Sequence, residues 1–207
     1  MALSNYTALT AGVYAFLSRS DQTANVDTYI GLAEAWLNRK LRVRQMETTT
    51  TTMTVTSDVI SHPTDWLQWK DLRVTSDPIQ HLDIYSEETA DQGFEASGTT
   101  GYPKRAIVRG NTTIIRPVPD GTYTYQGVYY AQIPALTSTA TTNWLLTSYP
   151  DAYLYGALLA ANLNIQDDSE TGQWGPLFNI VVKEIEEAEQ KASFGGGSVG
   201  PRVRRVV

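Results

Sequence analysis

The 207-residue chain contains no cysteine, so disulfides, thiolate nucleophiles and thiolate metal sites are excluded. It has two histidines, His62 and His81, and neither is placed beside a nucleophile or at i,i+4 spacing for zinc. Both read as surface or structural side chains. Long hydrophobic runs are missing too, since the longest, Ala157 to Ala161, is far too short to span a bilayer. Met1 to Asn5 lacks a charged region leading into an apolar one, so a soluble cytoplasmic product is expected. Charge is scarce. Charged residues are 18% against 42% hydrophobic, which is low for a freely soluble monomer and points to surface covered by partners. The 12 tyrosines and 5 tryptophans suit cores and interfaces equally.

The charge that is present is unevenly placed. The net charge is −6, yet the last six residues, Arg202 to Val207, hold three arginines and no acid, which leaves −9 for the body. An acidic body with a short basic end argues against a protein that grips a nucleic-acid backbone, which needs a broad basic face.

Along the chain the pattern reads as helices, then strands, then helices. Leu9, Val13, Phe16 and Leu17 fall at helical spacing between Thr7 and Arg19. Val26, Ile30, Ala33, Leu37 and Leu41 mark one face of a second helix over 25–43. Asn25 stands at its N-cap, Asp27 in its first turn, and Arg39, Lys40, Arg42 and Arg44 at its far end. Five threonines at 48–52 then lead into β-branched alternation, which favours strand over helix. Further strands are expected at 67–74, 79–84, 105–109, 112–116 and 123–131, with a short helical piece near 87–92. Gly110-Asn111 centres a hairpin turn, and 117–121 makes the next turn. In the strand over 123–131 both faces carry apolar or aromatic residues, so both are expected to be covered.

Helix returns at Ser148-Tyr149-Pro150-Asp151, a capping-box pattern with proline in the first turn, and runs to about Ile165. It is apolar nearly all round and should be buried on every side. The last helix, over 173–192, has Leu177, Val181, Ile185, Ala188 and Ala192 on one face and a Glu187–Lys191 pair outside. Gly172 and Gly175 read as breakers before it. Gly195 to Pro201 forms a flexible linker to the arginine-valine end.

The fold class is therefore α+β: a helical bundle of about four helices with a β-strand insertion domain and a flexible C-terminal tail. Helices 1 and 2 occupy 1–46, the β insertion 47–136, helices 3 and 4 137–193, and the basic tail 194–207.

Motifs for chemistry fail when inspected. A calcium loop starting at Asp167 would put Phe178 where a bidentate glutamate is required. The glycines of 195–200 are not followed by the Lys-Ser/Thr of a phosphate loop. Neither an enzymatic activity, a catalytic residue, a metal nor a cofactor is expected. The tail, by contrast, mixes β-branched and cationic residues behind a leash, so it can add a strand to a partner's sheet edge or set arginines on an acidic surface.

Six segments, taken in order, resemble the head-to-tail adaptor (connector) proteins of tailed bacteriophages. They are 32–42 (LAEAWLNRKLR), 63–67 (PTDWL), 114–120 (IIRPVPD), 129–136 (YYAQIPAL), 142–146 (TNWLL) and 150–159 (PDAYLYGALL). The resemblance covers nearly the whole chain, with the glycine-arginine end the least matched part. It implies a helical bundle with a β insertion, assembled as a homo-oligomeric ring, typically twelve-fold, beneath the portal at the DNA exit vertex. It places the protein in the virion neck, and in the host cytoplasm during assembly. A downstream tail or nozzle protein would dock below, and DNA would pass through the channel without specific binding.

On that resemblance the portal contact is expected from Arg202, Arg204 and Arg205, with Val203 and Val206 in strand pairing. Ring contacts are expected from the final two helices, with Asp167 and Asp168 against a neighbour's Arg39, Lys40 and Arg42, an assignment resting on charge alone. A rival reading is a carbohydrate- or receptor-binding virion module, which requires exposed aromatics at Trp66, Trp69 or Tyr123. A third is nucleic-acid binding through the tail, but three arginines neutralise only about three phosphates and bind weakly.

Overall fold

The computed structural model describes residues 3–17, 25–50, 52–85, 100–165 and 168–193. The chain divides into two compact units, Met1–Gln45 with Ile133–Val207, and Met46–Gln132.

In the first unit, α1 (Tyr6–Leu17) begins where the Asn5 carboxamide accepts a hydrogen bond from the Ala8 N–H at 2.8 Å. Its buried stripe is Leu9, Gly12, Val13 and Leu17, and Phe16, counted in the stripe from spacing, is 54% exposed. Helix α2 (Val26–Lys40) buries Ile30, Ala33 and Leu37. Asn25 precedes it without a side-chain cap bond, while Asp27 in the first turn accepts from the Tyr6 hydroxyl at 2.6 Å. A short helix, α3 (Trp144–Ser148), went unread in the sequence. The Asn143 carboxamide caps it by accepting from the Leu146 N–H at 2.8 Å. Ser148 is thus the last residue of α3 rather than the cap of the next helix.

Helix α4 (Pro150–Ile165) is the centre of this unit and packs against α1, α2, α3 and α5. A Cβ placed on its Gly156 would lie 2.8 Å from Ala33 Cβ and 3.1 Å from the Phe178 ring, so the bare glycine lets three helices close up. Helix α5 (Asp168–Ser193) runs straight through Gly172, Gly175 and Pro176. Those residues do not break it because Phe178, Val181, Val182 and Ile185 are buried beyond them, and packing outweighs local propensity.

Among the described residues the second unit holds eleven strands, β1 (Glu47–Thr49), β2 (Met53–Val55), β3 (Val59–Ser61), β4 (Trp66–Val74), β5 (Gln80–His81), β6 (Asp83–Tyr85), β7 (Thr100–Gly101), β8 (Arg105–Arg109), β9 (Thr112–Arg116), β10 (Val118–Pro119) and β11 (Tyr123–Ala131). They form three sheets. One has the order β1-β11-β4-β5 with β2 also on β11, one is β3-β9-β8-β6, and one is the parallel pair β10-β7. The β8–β9 hairpin turns at Gly110 with φ of +57°, the left-handed region that favours glycine. In β11 one face is buried (Tyr125, Gly127, Tyr129, Ala131) and the other is half-buried. The core of this unit draws Trp69, Leu72, Val74 and Tyr125 from one large sheet and Ile60, Ala106 and Ile115 from the other, so the two pack face to face.

The expected fold class is corrected on this point. The described residues form five α-helices and three sheets, so the chain is α+β but not a four-helix bundle carrying a small insertion. The strand-rich part is a unit with its own core. Many of its strands are two or three residues long and exist only through pairing, so they leave little periodic signal. The expected strand at 79–84 is in fact two, β5 and β6, joined to different sheets. The expected helical piece at 87–92 lies outside the described residues.

Candidate interaction surfaces

The residues expected to make ring contacts stand on α2 and at the α4–α5 junction. Arg39 is exposed in the last turn of α2. Lys40 donates to Asn179 Oδ1 at 2.7 Å and lies 5.3 Å from the centre of the Phe178 ring. Arg42 turns back to donate to the carbonyls of Asn38 at 2.7 Å and Leu41 at 2.5 Å, which satisfies orphan acceptors at the helix end. Arg44 pairs with Glu189 at 3.6 Å. Two of the three expected cations therefore already serve their own fold. Asp167 lies outside the described residues, and Asp168 opens α5.

These groups are not brought together within one chain. The basic end of α2 continues through Val43 and Arg44 to Tyr149, at the start of α4. The backbone of Asp168 stands at the start of α5, which follows the other end of α4. The tail residues Arg202, Val203, Arg204, Arg205 and Val206 lie outside the described residues.

A buried polar network ties the chain returning from the strands onto the helices. Glu34, 9% exposed, accepts from the Leu136 N–H at 2.7 Å and from the Tyr153 hydroxyl at 3.4 Å. One turn further on, Asn38 Oδ1 accepts from the Ile133 N–H at 2.8 Å. Asn143 donates both to the Pro134 carbonyl and to the Tyr153 oxygen, each at 2.7 Å. Burial pushes the Glu34 carboxyl above its usual range, against the opposing pull of these two donors. Burial likewise pushes the Tyr153 hydroxyl far up. The sequence hides this network, because an inward-facing glutamate at helical spacing looks like any other.

The aromatic residues of the strand unit are engaged with one another. Trp69 is 4% exposed, donates to Thr113 Oγ1 at 2.8 Å, and meets the rings of Trp66 and Tyr129 edge-on. Trp66 is half-buried and stacks on His62 with centroids 3.8 Å apart. His62 Nε2 reaches the same Thr113 hydroxyl at 2.7 Å, and burial lowers the pKa of its ring. Tyr123 meets Tyr102 edge-on and bonds to Asp120 at 2.5 Å. Of the three, Trp69 is buried and Trp66 and Tyr123 are half-buried. His81 is exposed and pairs with Asp71 at 2.7 Å.

The helical unit exposes large apolar groups, one of them counted in the buried stripe of α1 from spacing. Phe16 is 54% and Leu163 56% exposed. A groove of about 440 Å3, lined chiefly by Leu3, Leu146, Pro150 and Leu154, opens at the start of α4. Along α4, expected to be covered on every side, Ala152, Tyr153, Leu154, Ala157, Leu158, Ala160 and Ala161 are buried, whereas Leu163 is not. Among the described residues no cluster of His, Asp or Glu could hold a metal ion, and no helix is long and apolar enough to cross a membrane.

No curated protein matches the chain. The family model of the SU10 adaptor protein matches residues 4–204, from ahead of α1 into the arginine-valine end, so the match extends into the part that the resemblance covered least. The chain accordingly belongs to the SU10 adaptor protein family and is a structural adaptor of a bacteriophage virion.

Proposed function

We propose that this adaptor assembles with copies of itself into a twelve-fold ring beneath the portal protein, in the virion neck. The ring extends the DNA channel and presents its far side to the next tail component. The observation that carries this reading is the family match over residues 4–204, which takes in both helix pairs, the strands and most of the tail. The acidic body supports it, since a net −9 outside the last six residues disfavours sticking of DNA that slides past. The tail supports portal attachment: Arg202, Arg204 and Arg205 supply charge, and Val203 and Val206 suit strand pairing. A ring presents many such tails at once, which multiplies a weak single contact.

The test is electron microscopy of particles made by the parent phage with this gene deleted. Filled or DNA-leaking heads without tails, rescued by supplying the protein, are expected. Complete virions that merely fail to adsorb would overturn the adaptor reading in favour of a receptor-binding one.

A further inference from the structure

The strand unit builds an enclosure around one histidine. By simple alternation along β4, Trp66 and Trp69 would stand on opposite faces. The β4–β11 pairing instead shifts register on either side of Tyr129 and Tyr130, so that Trp69 lies opposite Tyr129 and Trp66 opposite Ala131. Such bulges re-aim side chains, and here both indoles come to one face with centroids 6.0 Å apart. His62, from the turn joining β3 to β4, lies against both. It stacks on Trp66 at 3.8 Å and meets Trp69 edge-on at 5.6 Å.

The hydrogen bonds suit a neutral ring and not a cation. Thr113 Oγ1 accepts from the Trp69 indole at 2.8 Å and lies 2.7 Å from His62 Nε2. A hydroxyl has one proton to give, so the assignment that satisfies Thr113 runs from the Trp69 N–H through the Thr113 O–H to an accepting Nε2. Protonation turns Nε2 into a donor and leaves the Thr113 proton without its acceptor. The charge would also be shared by Nδ1, which is buried and has no partner among the described residues.

The surrounding charges do not repair this. Asp65, in the same turn, accepts from the Tyr129 hydroxyl at 3.0 Å. On β4, Lys70 pairs with Glu47, Asp71 with His81, and Arg73 donates to Gln126. On β8 and β9, Arg105, Arg109 and Arg116 alternate with Ala106, Thr113 and Ile115, and so belong to the opposite face of that sheet. Strands β3 and β11 contribute no ionisable groups other than tyrosines. The Trp66 face favours a cation, but burial opposes it and lowers the pKa of the ring.

We infer that His62 is a pH-sensitive latch: neutral, it holds Trp66 and the 62–65 turn on the sheet, and protonated, it releases them. Because the folded pKa lies below the unfolded one, the stability that the neutral ring confers is present above about pH 6.5 and is lost as pH falls through the folded value. Two backbone bonds open with the turn, from the Trp66 N–H to the Pro63 carbonyl at 3.2 Å and from the Gln132 N–H to the Asp65 carbonyl at 2.7 Å.

The full chain carrying His81→Gln keeps His62 as its single histidine. Proton NMR of the ring Cε1–H should give a titration midpoint below the ordinary value of about 6.5. Through the same interval the Trp66 and Gln132 amides should lose hydrogen-exchange protection by about tenfold relative to the β8–β9 hairpin. His62→Phe keeps the stack and cannot take up a proton. Its amides should stay protected, and its urea midpoint should fall less between pH 8 and pH 5 than that of the native chain. A ring midpoint at or above about 6.5 would overturn the latch, the indole face then outweighing burial. Protection that is unchanged while the ring titrates would overturn it as well. Both of these readings come from the His81→Gln chain and stand whether or not His62→Phe folds.

Discussion

Glu34 shows how much one side chain can decide. It brings a carboxyl to a site 9% exposed and holds the Leu136 N–H there. Its folded pKa lies above the unfolded one, so the stabilisation from burying the protonated form is complete below about pH 4.5 and is lost as pH rises through the folded value. Glu34→Gln keeps an acceptor and carries no charge. Its stability relative to the native chain should therefore improve between pH 4 and pH 8, read as urea midpoints at the two values. Glu34→Ala instead leaves a buried N–H without a partner and should cost about 1–3 kcal/mol. Thr113 is the matching case in the strand unit. Fully buried, it receives the Trp69 N–H and meets His62. Thr113→Val preserves shape and strands the indole N–H, so a loss of about 1–3 kcal/mol in urea unfolding is expected, and an unchanged midpoint would show that water replaces the hydroxyl.

At the scale of elements, α5 departs most from what its sequence announced. Gly172 and Gly175 read as breakers before a helix over 173–192, yet the helix spans 168–193, with Pro176 inside it. Proline removes one hydrogen bond and crowds the carbonyl four residues earlier, a penalty that tertiary burial of Phe178 and Ile185 offsets. Pro176→Ala should therefore stabilise the unit by up to about 3 kcal/mol, seen as a raised melting temperature. No gain would mean that Pro176 sits in the first turn of the helix in solution, where proline costs nothing. Helices α2 and α4 and strands β4, β8, β9 and β11 were legible to within a few residues, because each has strong periodicity or a glycine-centred turn. The short strands β5, β6, β7 and β10 were not legible as such, having too few residues to establish a period.

For the whole molecule, the acidic body and the basic tail can be separated by truncation. Removal of residues 195–207 takes away three arginines and makes the chain more acidic. We expect the truncated protein to lose most of its affinity for purified portal while retaining self-assembly, measured by co-sedimentation and by mass in solution. Equal binding with and without the tail would place the portal contact on the body. The same comparison separates attachment from self-assembly.

Composition and order along the chain were enough to exclude thiol chemistry, to separate an acidic body from a basic end, and to suggest a phage adaptor. Those conclusions need only residue identity and local spacing. The tertiary structure alone decided that the strands form sheets with a core of their own, that Lys40 is spent on Asn179 of α5, and that Arg42 is spent on its own helix end. It also decided that Phe16, counted with the buried stripe of α1, faces outward. A helical period shows that one face of a helix is apolar, but the width of the buried stripe depends on which helix lies opposite, and that is set by contacts between residues distant in the chain.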